Sequence, residues 1–139
     1  MRRWLLLPLL LLCLFASTVE ARSKKDKAMD QVLLDYAATL RWGGFEQAIA
    51  FIDPAVREAK PIPALDMNRY RQVRVSFYHQ QSPVQVSKTE IQVLAEVGII
   101  NNHSQSERTV KDRQTWRWDE KEKRWWLMSG LPVIVGADD

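Results

Sequence analysis

The stretch Thr109–Leu131, TVKDRQTWRWDEKEKRWWLMSGL, holds four of the chain's six tryptophans. Aromatic and β-branched residues cluster on both sides of a polar break at Glu120–Lys123, so the stretch reads as two antiparallel strands joined by a charged turn. Pairing Asp119 with Arg124 closes that turn on an ion pair. The same register sets Trp118 opposite Trp125 and Trp116 opposite Leu127. One face then becomes a continuous aromatic surface, and cross-strand aromatic pairs are strong units of sheet stability. A helix has to cover that face. The other face carries Thr115, Arg117, Trp126 and Met128, an amphipathic surface that a lone monomer has little reason to display.

Upstream, the spacing of apolar residues predicts further strands. Val73, Val75, Phe77 and His79 alternate with Arg74, Ser76, Tyr78 and Gln80, the pattern of a half-buried strand with the first set inward. After a turn at Gln81–Pro83, Val84 and Val86 point inward on even numbers. Ile91, Val93, Ala95, Val97 and Ile99 do so on odd numbers. That change of parity requires a bulge, or a break between two strands, near Ser87–Thr89. The polar run Asn101–Ser106 turns the chain into the first arm of the tryptophan hairpin. Before the strands, Met29, Val32, Leu33, Tyr36, Ala37 and Leu40 fall on one face of a 3.6-residue repeat, and Gly43 and Gly44 stop that helix. Phe45, Ala48, Ile49 and Ile52 repeat the spacing until Pro54. Two shorter helical segments, PAVREAK and ALDMNRY, lie among Pro54, Pro61 and Pro63. Helices followed by a run of antiparallel strands define an α+β fold, here N-terminal helices on one face of a curved sheet in a single domain.

The opening residues place two arginines before an apolar run from Leu5 to Ala16, the layout of an export signal, with Val19 and Ala21 suited to a cut before Arg22. The run is well short of the roughly 20 residues of a membrane span, so the expectation is removal of residues 1–21 and a periplasmic or secreted protein with no stable span thereafter. Cys13 would invite lipidation, but Leu12 precedes it where a small residue is needed. Without its signal the chain keeps no cysteine, which removes thiol catalysis, disulfides and thiolate metal sites together. Loss of Arg2, Arg3 and Glu20 lowers the net charge from +3 to +2. Such a mixed surface offers little pull on nucleic acid. The expected organisation is a signal over 1–21, a flexible charged lead over 22–27, the α+β domain over 28–131 and a tail over 132–139.

With YAATLRWGGFEQAIAFIDP as helix, glycine stop and second helix, and WRWDEKEKRWWLMSGLP as the closing hairpin, the chain resembles the nuclear transport factor 2 superfamily. That superfamily is also called ketosteroid-isomerase-like or SnoaL-like, and the resemblance extends to its small exported bacterial members. It rests on pattern over most of the mature chain. It implies a pocket inside the cone, where Asp112 shares the aromatic side with Gln114, Trp116 and Trp118, and where Phe77 also points.

An acid in apolar surroundings is able to act as a base. Asp112 is therefore the candidate base, with Tyr36 and His79 as candidate partners. The ordinary roles are a solvated Asp112, a core-packing Tyr36 and a half-exposed His79. The superfamily's second acid has no counterpart here, and Asp53 and Asp66 sit where helix capping explains them. His103 lies in a polar turn with no second ligand at metal spacing, so no metal and no cofactor is expected. Arg117 beside Trp126, with Met128, either stacks to cover the outer sheet face or forms the centre of a homodimer interface. The leading expectation is an exported noncatalytic binding or assembly module of the bacterial envelope, with a small apolar ligand. The alternative is a small-molecule isomerase or dehydratase using Asp112.

Overall fold

The computed structural model describes residues 24–134. Its first helix, α1 (residues 24–38), buries Leu33 and Tyr36, and Leu40 in the turn that follows continues the stripe. Within the expected flexible lead over 22–27, Lys24–Lys27 are helical; residues 22–23, the export signal and its cut lie outside the described residues. The helix widens into a π-helical turn at Thr39–Gly43 and stops at Gly44, whose φ of +94° and ψ of 173° suit glycine alone. Helix α2 (Phe45–Ala48) buries Phe45 and Ala48 and runs into a 3-10 turn at Ile49–Phe51, whose Ile49 and Phe51 pack half-buried against the core.

Helix α3 (Pro54–Ala59) begins with Asp53 as its cap: Oδ1 accepts from the amides of Ala55 (2.8 Å) and Val56 (3.4 Å), and proline occupies the first helical position. The other carboxylate oxygen accepts from Arg117 Nη2 at 2.9 Å, tying the cap to the sheet. Asp53 is buried, so Asp53→Ala loses the cap and leaves the helix end unsatisfied. The expected cost is about 1–2 kcal/mol in urea denaturation. Asp53→Asn keeps the cap oxygen and should cost less. Equal costs would place the stabilisation in the charge on Arg117. Helix α4 (Ala64–Arg71) follows after Pro61 and Pro63.

The sheet comprises β1 (Val73–Gln80), β2 (Val84–Gln85), β3 (Glu90–Asn101), β4 (Glu107–Asp119) and β5 (Arg124–Leu127). It is antiparallel and strongly curled, in the order β1-β3-β4-β5 with β2 also on β3, and the helices pack inside the curl. The expected inward set on β2 is overturned: Val84 and Val86 are exposed, and Val84 pairs with the exposed Gln92, so even-numbered residues face outward on both strands and Ser87–Thr89 is only a break between β2 and β3. The tryptophan hairpin has the expected register, Trp118 against Trp125 and Trp116 against Leu127. Its turn closes differently, because no Asp119–Arg124 ion pair forms among the described residues. Asp119 Oδ1 accepts from the amides of Lys121 and Glu122, both at 3.0 Å, and Oδ2 accepts from Trp126 Nε1 at 3.3 Å. The Arg124 guanidinium instead lies 3.5 Å from the Trp126 ring centroid.

Strand β1 departs from the expected parity. Val75 pairs with Ile99 and Phe77 with Gly98, so Ser76 is the extra residue of a β-bulge. Beyond it the strand faces are exchanged, Tyr78 turning in and Phe77 and His79 out. The Phe77 ring lies against Gly98, where a Cβ would collide with it. After β5 the chain stays in the core. Leu131, Pro132 and Ile134 are buried, Tyr70 Oη donates to the Pro132 carbonyl (2.7 Å), and Arg108 bonds the Ile134 carbonyl. The expected tail from 132 is thus, at its start, part of the domain.

Candidate functional site

Alternation along β4 places Asp112, Gln114 and Trp116 on the inner face, and all three are buried. Gln114 joins them. Its Nε2 donates to Asp112 Oδ2 (2.8 Å) and to Tyr78 Oη (2.7 Å), while its Oε1 accepts from Trp116 Nε1 (2.9 Å). From α1, Tyr36 meets the edges of Phe51, Tyr78 and Trp116 at centroid distances of 5.4, 6.4 and 5.3 Å. Its hydroxyl is buried without a hydrogen-bond partner.

Burial disfavours charge throughout this cluster. Asp112 is pushed up to about 6 by desolvation, against which the Gln114 bond pulls down. Tyr78 is pushed up to about 12 by burial, with the Gln114 bond lowering it and the Asp112 charge raising it. Burial and then Asp112 raise Tyr36. A carboxyl poised near neutrality beside tyrosine hydroxyls has the chemistry of a general acid or base. Yet neither the groove beside α3 and α4 nor the cleft beside Lys25 is lined by any member of the cluster.

The structure therefore brings together Asp112, Tyr36, Gln114 and Trp116, and adds Tyr78, which the sequence pattern assigned outward. Trp118 shares their face but lies beside Trp125 at the far end of the sheet. Phe77 and His79 do not join. The bulge puts them on the outer face, with ring centroids 5.0 Å apart, and leaves His79 exposed. The three outer-face residues separate as well. Arg117 engages Asp53, Trp126 is only 9 % exposed under Arg124, and Met128 turns to a groove. Trp126 is thus not the exposed aromatic centre that the alternation predicts.

That groove, of about 810 Å³, lies between α3, α4 and the segment Met128–Leu131. Its walls are largely apolar, with Ile49, Val56, Ile62, Met67 and Leu131 among them, and Tyr70, pushed up to about 12 by burial, at its inner end. Arg57 and Lys60 stand exposed on its rim and make no ion pair among the described residues. The third rim charge, Asp66, is held by Arg69 at 3.2 Å. The rim is thus net positive. Pocket volumes of this order are typical of small-molecule sites. Among the described residues no three metal-ligating side chains converge, and no helix is long and apolar enough to cross a membrane.

Fold and site define a small α+β protein in which N-terminal helices fill a strongly curled antiparallel sheet, with a buried acid-tyrosine cluster and a separate, accessible groove. No family model, no curated protein and no solved structure matches the chain.

Proposed function

We propose that the protein is an exported, noncatalytic binding module of the bacterial envelope that takes an anionic amphiphile, such as a medium-chain fatty acid, in the groove beside α3 and α4. The observation that carries this reading is an apolar trough lined also by two cations, Arg57 and Lys60, that make no ion pair among the described residues. An alkyl chain would be covered by Val56, Ile62 and Met67, and a carboxylate would meet the guanidinium and ammonium groups. The helix, helix and curled-sheet order supports the proposed kinship with the nuclear transport factor 2 superfamily. Export rests on the charged and apolar opening of the sequence.

Calorimetric titration with dodecanoate tests the proposal. Saturable binding is expected, weakened about tenfold or more in the Arg57→Glu, Lys60→Glu double variant, since each such contact contributes on the order of 1–3 kcal/mol. Dodecanol, which lacks the charge, should bind more weakly. Absence of saturable dodecanoate binding, or equal binding by the double variant, would overturn it.

A second reading keeps the isomerase or dehydratase alternative, favoured by the carboxyl of Asp112 poised near neutrality beside the unpartnered hydroxyl of Tyr36. It requires the packed interior to open to a substrate.

A further inference from the structure

The first turn of α1 brings Lys25 against the tryptophan hairpin. Its Nζ lies 5.5 Å from the Trp125 ring centroid and 5.8 Å from that of Trp118, and it also donates to the Lys88 carbonyl. The two rings are inclined at 57° with their centroids 5.5 Å apart, so they form two walls of a corner. Their indole N–H groups are engaged elsewhere, Trp118 Nε1 with Glu120 Oε2 at 2.6 Å and Trp125 Nε1 with the Lys25 carbonyl at 3.2 Å. The electron-rich π surface of each ring is what remains for a cation. Glu120 adds a carboxylate close by, held below the usual carboxyl range by the hydrogen bond from Lys123, then that from Trp118, with the Lys25 charge contributing. Next to the ammonium a cleft of about 590 Å³ opens, bounded by Lys25, Met29, Pro83, Lys88, Ile91 and Trp125.

We propose that Trp118 and Trp125 form an ammonium-binding corner that Lys25 occupies in cis, and that it accepts the quaternary ammonium group of a choline-type ligand when the lysine withdraws. A clamp meant only to hold α1 would need no open cleft beside the ammonium. The corner sets two aromatic walls and a carbonyl around one positive charge, with the Glu120 carboxylate, itself bonded to Lys123 and Trp118, acting only at longer range, and aromatic walls of this kind recognise quaternary ammonium compounds. Lysine is the weaker guest, because a primary ammonium is strongly hydrated and gives up water reluctantly, whereas a trimethylammonium group is large, soft and weakly hydrated. Its advantage is attachment, since a tethered group competes at an effective concentration in the millimolar range. The site is therefore an autoinhibited one, and it is independent of the groove beside α3 and α4.

The experiment uses the full chain and follows tryptophan fluorescence during titration with choline chloride. Controls are sodium chloride at equal ionic strength and 3,3-dimethylbutan-1-ol, the uncharged isostere of choline. Lys25→Ala is expected to respond saturably to choline with an affinity about tenfold tighter than the unsubstituted chain, the factor by which an internal competitor lowers apparent affinity when it is mostly docked. The alcohol and sodium chloride should produce no saturable change. Adding Trp118→Leu should remove the choline response. Lys25→Met, which retains the alkyl stem over the rings, serves where the alanine variant does not fold. Co-sedimentation of the Lys25 variants with phosphatidylcholine but not phosphatidylglycerol vesicles would assign the ligand to a lipid headgroup, and a response to soluble choline alone would assign it to a free metabolite. No saturable choline response in either folded Lys25 variant, or an equal response to choline and to its uncharged isostere, would overturn the proposal.

Discussion

Trp116→Ala should bring the domain close to its unfolding limit, with a loss of about 3–5 kcal/mol, because a fully buried indole is replaced by a cavity that the surrounding sheet cannot fill. Trp116 has no exposed surface, and it meets the edges of Tyr36 from α1 and of Phe51 from the turn after α2. Its removal therefore loosens the helices from the sheet at their common centre. The indole N–H matters separately, since it donates to Gln114 Oε1 at 2.9 Å. Trp116→Phe keeps most of the ring packing but leaves that buried carbonyl unpaired, a loss of about 1–3 kcal/mol. The total stability of a domain this size is on the order of 5–15 kcal/mol. On that scale the alanine variant should show a collapsed urea midpoint and the phenylalanine variant an intermediate one. An alanine variant within about 1 kcal/mol of the parent would mean the centre of the fold lies elsewhere, since core truncations of this kind seldom cost so little.

The register of the tryptophan hairpin was legible because three independent features agree on it: alternation along β4, alternation along β5 and the polar turn between them. Strand β1 had no such agreement. In Val73–Gln80 the residues Phe77 and Tyr78 stand side by side, and either is able to face a core by composition alone. Tertiary partners decide between them. Gly98 on β3 leaves room for the Phe77 ring outside, and Gln114 on β4 offers the Tyr78 hydroxyl its hydrogen bond inside. One local signal did exist, because a glycine within a strand marks a bulge or a close approach. Alternation sets Trp126 opposite Arg117, away from the inner face, yet the ring is only 9 % exposed. What covers it is not encoded in alternation: Arg124 folds over the ring, and the segment after α2 runs along the edge of β5 through the bridge from Ile52 to Leu127. The groove was illegible for a similar reason. It forms where the proline-punctuated region of α3 and α4 meets Met128–Leu131, two segments far apart in sequence and neither strongly periodic.

The pH dependence of stability should rise towards acid, against the usual direction, to the extent that Asp112 controls it. An unfolded aspartate titrates near 3.9, and burial carries the folded carboxyl up to about 6. The folded state therefore holds this proton more tightly than the unfolded state. Its contribution is fully present below about pH 4 and is lost as pH rises through about 6, where the carboxylate must ionise in the core. The difference, about two pH units, corresponds to about 3 kcal/mol. Asp112→Asn accepts the Gln114 bond without ever ionising, so it should be close to neutral at pH 4.5 and stabilising at pH 7.5, with a flatter profile between. Urea midpoints at the two pH values give the sign directly, and a variant destabilised equally at both would show that the carboxylate is solvated after all. Tyr36→Phe sharpens the comparison: it removes a hydroxyl that has no partner, so it should be neutral or slightly stabilising and leave the pH profile in place. A stabilised Asp112→Asn chain that still binds dodecanoate would separate the cluster from the groove. Loss of dodecanoate binding in that variant would instead join them and favour a ligand seated in the interior.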